Sequence, residues 1–209
     1  SALSSTSYAI SDDQIPTVSY IVAEDLKSDP VVVKKVNFII FNRESKKVSI
    51  YNLPVDVNYE IPGKFGSEVL SKVFALGGLN SQDKLTSGAE AINRSIFKLF
   101  GFKVDKFVLT DQEHEAFFDK LWHEGGALNL LDVKKVSGLG DSLKTDLDIR
   151  EFYNLLSFVY SLPKDRVVDE NNVPLNFNKT DIFDSYIREY TFESFLAKEQ
   201  KNIAVLNGT

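Results

Sequence analysis

The sequence contains no cysteine and no methionine in 209 residues. Without cysteine, neither a disulfide framework nor a thiolate metal site can form. That is compatible with an exported protein, although it does not place the chain outside the cell. Lacking methionine even at its first position, the chain reads as a fragment or processed form, and residues 1–15 as a linker or cloning remnant. Histidine is nearly absent. His114 and His123 stand nine positions apart, whereas zinc ligands on one helix face need spacings of about three or four, so both are expected to be surface histidines. No serine sits in a Gly-x-Ser-x-Gly elbow, which removes the commonest nucleophile geometry. No apolar run approaches the length of a bilayer span. Basic charge is short too: 24 Lys and Arg against 30 Asp and Glu leave a net charge of −6, which argues against a nucleic-acid backbone as partner.

What is present is a core-forming pattern, in a chain long enough for one domain or one domain with a tail. Thr17 to Ala23 has the β-branched and aromatic content of a strand, and an acidic turn follows from Glu24 to Pro30. Val31 to Phe41 carries apolar residues on both faces, the mark of a strand buried on both sides, and Asn42 to Lys47 reads as the turn into Val48 to Leu53. Pro54 has no N–H for a ladder and forces the chain out of the sheet, which puts Val55 and Asp56 on the rim. After a Pro62-Gly63 turn, Val69, Leu70, Val73, Phe74 and Leu76 repeat at helical spacing and stop at Gly77-Gly78. Ser87 with Glu90 forms a capping-box pattern for a helix carrying Ala89, Ile92, Ile96, Leu99 and Phe100. Lys106 to Thr110 reads as a strand, and Asp111 as the N-cap of a helix whose apolar face is Phe117, Phe118, Leu121 and Trp122. Gly125 to Asp141 reads as loop. Asp148 with Glu151 caps another helix that runs to Leu162-Pro163. Lys164 to Lys179 reads as irregular, followed by helical stretches at 180–189 and 192–201. Strands alternating with helices of this length predict an α/β fold, a central mixed β-sheet flanked by helices.

Asn52-Leu53-Pro54-Val55-Asp56 after a strand resembles the Ser-Ile-Pro-Arg-Asp signature of the LytR-CpsA-Psr family. Lys72-Val73-Phe74-Ala75-Leu76-Gly77-Gly78 looks like that family's helix ending in Gly-Gly, and Phe102 through Val108 like its next strand segment. Phe118 through Gly126 is similar to its second Gly-Gly run, and Lys144-Thr145-Asp146-Leu147 to the element that opens a late helix. Ile203 to Gly208 looks like the first strand of a small following domain. The resemblance implies a LytR-CpsA-Psr-like α/β sandwich over 16–201 and the truncated start of another domain at 202–209. It also implies an extracytoplasmic protein at the membrane surface, anchored through a segment preceding Ser1. Such proteins transfer glycopolymers from a polyprenyl pyrophosphate carrier to the cell wall, so a polyprenyl-linked glycan or wall polymer is the implied partner.

The departures from the pattern bear on chemistry. Val55 stands where the family has a pyrophosphate-contacting arginine, and Lys34 where it has an acidic residue that helps hold magnesium. The arginine-rich segment after the second Gly-Gly is missing. Transfer of a pyrophosphate needs metal and guanidinium groups to offset the accumulating charge. Two readings follow. In the preferred one, the domain has lost transfer chemistry, needs no cofactor, and binds lipid-linked glycan or wall polymer, or scaffolds another protein. In the alternative it remains a magnesium-dependent phosphotransferase, with Asp56 as metal ligand and catalytic residue and Arg94 standing in for a lost arginine; Arg43 and Arg150 are further substitutes.

A polyprenyl cavity between sheet and helices would be lined by Phe74, Ile92, Ile96, Phe100, Phe117, Phe118 and Leu121. The same rings equally make an ordinary closed core. Asp56, Glu60 and Asp105 could form a cation cluster, while the plainer expectation is a turn hydrogen bond for Asp56 and a solvated Glu60. Lys34 could replace a metal by a fixed charge facing Asp56, which predicts an ion pair between them. Gly138 to Thr145 has the lysine and threonine of a phosphate loop but Leu143 where glycine must precede the lysine, so it reads as a flexible loop.

Overall fold

The computed structural model describes residues 16–61, 66–100, 103–123, 135–136 and 138–169, with Phe100 in its backbone only. The expectations for 1–15, Pro62-Gly63, Gly125-Gly126 and everything from 170 onward, including the boundary near Lys201, lie outside these residues.

Six strands form one mixed sheet, in the order β7-β6-β1-β2-β3-β8. The centre is β1 (Thr17–Ala23), every residue of which is buried. It has ladders on both sides, antiparallel to β2 (Val33–Asn42) and parallel to β6 (Lys106–Asp111). β2 continues antiparallel into β3 (Lys47–Leu53). The turn between them places Lys46 at φ 50°, and the Asn42 side chain accepts the Ser45 N–H at 2.9 Å. β7 (Leu143–Thr145) closes one edge antiparallel to β6, and β8 (Val167–Asp169) closes the other, parallel to β3. A separate two-stranded ribbon, β4 (Asn58–Ile61) with β5 (Gly66–Val69), leads into the first helix.

Because side chains alternate along a strand, the sheet has two packed faces. Tyr20, Val22, Ile39, Phe41, Val48 and Val108 lie against Phe118, Leu121 and Trp122 of α3 (Glu115–His123) and against Phe152, Leu155 and Val159 of α4 (Ile149–Ser161). Ser19, whose neighbours Val18 and Tyr20 point the other way, donates its hydroxyl at 2.6 Å to Asn93 of α2 (Lys84–Phe100). α2 therefore covers the opposite face, together with α1 (Leu70–Gly78). The predicted α/β sandwich, a mixed sheet between helices, is the observed architecture.

α1 ends at Gly77-Gly78 as expected, where its contact with α2 also requires small residues. A Cβ on Gly77 would collide with Ala91 Cβ and stand 2.9 Å from the Ser87 carbonyl oxygen, and one on Gly88 would stand 2.8 Å from the Phe74 ring. Three other local expectations need correction. Ser87 does not cap α2; Asp83 does, accepting the Thr86 N–H at 3.1 Å, so the helix starts a turn earlier. Asp111 makes no cap bond to the following 3-10 turn. Its Oδ1 accepts the Leu26 N–H at 2.6 Å instead, fastening the turn after β1. β7 and β8 were unanticipated: three-residue edge strands carry too little pattern to be read. The Asp148/Glu151 capping box, by contrast, forms as expected.

Candidate functional site

β1, β3, β6 and β8 all point the same way, so their carboxyl ends share one rim, the side on which open α/β sheets bind ligands. At this rim β3 leaves the sheet at Pro54. The Pro54 carbonyl accepts the Tyr59 hydroxyl at 2.9 Å, and the Val55 carbonyl accepts the Ser71 N–H of α1 at 3.2 Å. The rim loop is thus tied to the ribbon and to the first turn of α1. Burial, with the Asp56 charge second, raises the Tyr59 phenol well above its ordinary pKa. Asp56 itself is exposed and makes no hydrogen bond or ion pair with any described residue.

Lys34 does not face Asp56. It bonds Glu24 at the end of β1 at 2.9 Å, because neighbouring antiparallel strands bring the close of β1 and the opening of β2 together. Its neighbour Lys35 points to the opposite face of the sheet and clasps α3, with Nζ 3.0 Å from Glu115 and 2.8 Å from Asp119. Burial alone would lower the Lys35 pKa, but the bonds and charges of Asp119 and Glu115 outweigh it and hold the ammonium above its ordinary value. Lys35 also lies 5.8 Å from the centre of the Tyr20 ring. Burial, then Asp119 and Glu115, pushes the Tyr20 phenol up in turn. Sequence reading missed this clasp, although the spacing of Glu115 and Asp119, one helical turn apart, was its visible signal.

Arg94 is exposed on α2 and pairs along its own helix with Glu90 at 3.5 Å. The supposed cluster of Asp56, Glu60 and Asp105 is not assembled. Asp105 precedes β6 and binds the Thr17 N–H at 3.0 Å, at the far edge of the sheet, about 20 Å down the strands from the rim. The positions where a magnesium ion would be expected offer one exposed carboxylate and an ion-paired lysine, a set that does not fit the ion, which needs several oxygen ligands. Among the described residues, Asp111, Glu113 and His114 bring ligand atoms within 4.8 Å of one another. Closeness in sequence accounts for that grouping. Both histidines are half-buried rather than free surface groups, and the His123 Nε2 lies 2.7 Å from Asp169.

The proposed lining residues do not face one space. Phe74, Ile92 and Ile96 lie buried on the α1/α2 side of the sheet, Phe118 and Leu121 are buried on the α3/α4 side with Phe117 packed against them, and the Phe100 side chain lies outside the described atoms. A mixed sheet with both faces covered separates them. A small open cleft of about 150 Å³ does exist beside Phe74, bounded by Pro30, Val31, Ala75, Leu76 and Leu79. Leu79 is 67% exposed and Leu76 41%. Charges ring its mouth: Lys84 bonds Asp29 at 2.6 Å, and Lys72 bonds Glu68. Lys144, from the failed phosphate-loop pattern, is in β7 and held by Asp83 at 2.8 Å.

Taken together, sheet order, rim and paired helices define a LytR-CpsA-Psr-like α/β domain. Solved structures with this fold include a LytR-CPS2A-psr family protein, YwtF (TagT), with bound octaprenyl pyrophosphate lipid; it is 14% identical, with a TM-score of 0.56 over 85% of this chain and 90% of that one. TagT bound to LIIa-WTA is 15% identical, with a TM-score of 0.53 over 75% and 78% of the two chains. A Bacillus subtilis protein described as the transcriptional regulator yvhJ gives 0.60 at 9% identity, over 86% and 98%. No family model and no curated protein matches the sequence.

Proposed function

We propose that the chain is a binding domain of the bacterial cell envelope, outside the cytoplasm, that holds a polyprenyl-linked glycan without transferring it. The observation that carries this reading is the state of the rim. The one retained carboxylate, Asp56, has no arginine or lysine against it, Lys34 is neutralised by Glu24, and Arg94 is spent on Glu90. A phosphoryl transition state needs converging cations, and such a rim supplies none among its described residues. The solved neighbour that carries octaprenyl pyrophosphate supports the class of ligand. The apolar cleft beside Phe74 is smaller than a whole ligand pocket and would take only a short part of the isoprenoid tail.

Native mass spectrometry of the full chain, with and without polyprenyl phosphate and magnesium, tests the reading. The expected result is a lipid adduct whose amount magnesium does not alter, weakened by Leu79→Asp. No adduct at all would overturn lipid binding. A magnesium-dependent adduct, with glycopolymer transfer that Asp56→Ala abolishes, would overturn the loss of chemistry.

A further inference from the structure

Asp111 closes β6 and is only 8% exposed. Its Oδ1 accepts the Leu26 N–H at 2.6 Å, and no lysine or arginine pairs with it among the described residues. One N–H leaves most of a carboxylate's accepting capacity unused, and a buried charge is ordinarily paired or bound to a metal. The 3-10 turn Gln112–His114 that follows brings two more electron-rich groups beside it: one ligand atom from each of Asp111, Glu113 and His114 lies within 4.8 Å of the others. Nearness in sequence explains the grouping but not what these groups face. His114 Nδ1 is sealed from solvent and has no hydrogen-bond partner; Glu113 Oε1 stands 3.5 Å away and makes no hydrogen bond to it. A lone pair on that nitrogen points among carboxylates, and a proton there would be buried without an acceptor. Either state is costly. A cation that accepts lone pairs satisfies the nitrogen and the Asp111 charge together.

We infer that Asp111, Glu113 and His114 are the protein ligands of a divalent transition-metal site, of the zinc class, at the β6 end of the rim. An imidazole nitrogen with two carboxylates suits zinc, whereas magnesium wants oxygen ligands in an octahedron. Zinc ligands at about 2.0–2.2 Å from the metal stand roughly 3.4 Å apart in a tetrahedron. Glu113 supplies the contraction needed, because its side chain is 72% exposed and can change rotamer at little cost. Three protein ligands leave a fourth position for water. The site is separate from Asp56: β1 and β2 lie between β6 and β3, three strand spacings or about 14 Å, so the inference does not rest on the reading of that end of the rim. A bound ion would also fasten two elements. Asp111 already holds the turn after β1 through Leu26, and Glu115, next to His114, holds Lys35 of β2.

Zinc titration of the full chain, freed of any histidine tag and followed by calorimetry and by thermal unfolding, tests the site. The expected result is one zinc ion per chain and a raised unfolding midpoint, with the Nδ1 resonance of His114 shifted on binding. Asp111→Asn, which keeps an oxygen for the Leu26 N–H, weakens binding at least about tenfold, a loss that even the hydrogen-bond partner of a metal ligand commonly brings. Glu113→Gln with His114→Ala, both in a surface turn that the core does not need, weakens it further and leaves the metal-free midpoint close to the parent's. His123→Gln, which removes the other histidine, binds zinc as the parent does. No zinc binding by the unaltered chain, binding that survives the Glu113→Gln/His114→Ala pair, binding that His123→Gln removes, or magnesium binding as tight as zinc overturns the site.

Discussion

Asp146 shows how a single carboxylate can be placed at a cost. Its Oδ1 accepts the Phe107 N–H at 2.7 Å, and its own carbonyl takes the Lys106 ammonium at 3.2 Å. Burial dominates: it raises the pKa, and the opposing Phe107 bond and Lys106 charge do not fully cancel it. A carboxyl whose pKa is higher folded than unfolded binds protons more tightly in the native state. Its contribution to stability is then greatest below the unfolded value and is lost as pH rises through the folded one. Asp146→Asn keeps an oxygen for the Phe107 N–H and removes the charge. The variant should be more stable than the parent at pH 7, with the difference shrinking toward zero as pH falls below the ordinary carboxylate range, read from urea unfolding at several pH values. Such a residue is not legible in sequence. Asp146 looks like any polar loop position, and only the approach of β6 from 39 residues away buries it.

At the scale of elements, the helix pair α1/α2 depends on missing side chains. Gly77→Ala places a methyl against Ala91 and the Ser87 carbonyl; backbone on one side leaves little room to yield, and a loss of about 1–3 kcal/mol is expected on thermal or chemical unfolding. Gly66→Ala, where a Cβ would meet nothing but φ is +60°, has strain and no clash; a smaller loss there would separate the two causes. Much of the element pattern could be read in advance. The two-faced apolar run of β2, the amphipathic spacing of α3 and the Asp148 capping box each carry a strong local signal. What could not be read was decided by contacts between distant segments. Gly77-Gly78 reads as a helix stop and is one, but its second role as a packing surface for α2 could not be read. β7 and β8 exist because neighbouring strands offer them a ladder, and the six lining candidates whose side chains are described fall on two faces because sheet order, invisible in periodicity, interposes a wall.

The described residues form a sheet with a cover on each face, and the core on the α3/α4 side is centred on Trp122, the single tryptophan, against Tyr20, Phe41 and Phe152 at 6.0–6.2 Å between ring centres. A side chain 1% exposed that touches α4 and two strands reports on the fold as a unit. Its fluorescence should shift to the red in one transition that coincides with far-ultraviolet circular dichroism, and Trp122→Phe should lower the midpoint of that dichroism curve while Trp122→Ala costs about 3–5 kcal/mol. Non-coincident curves would mean that the two covers melt separately. The glycine seam between α1 and α2 has a mechanical meaning too. Helices that touch backbone to backbone cannot slide as side-chain-spaced ones can, so the cleft wall formed by Leu76 and Leu79 moves only if α2 moves, and α2 is moored to the central strand by Ser19 and Asn93. A guest in the cleft therefore pulls on the middle of the sheet, as a weight on a bracket pulls on the beam behind it.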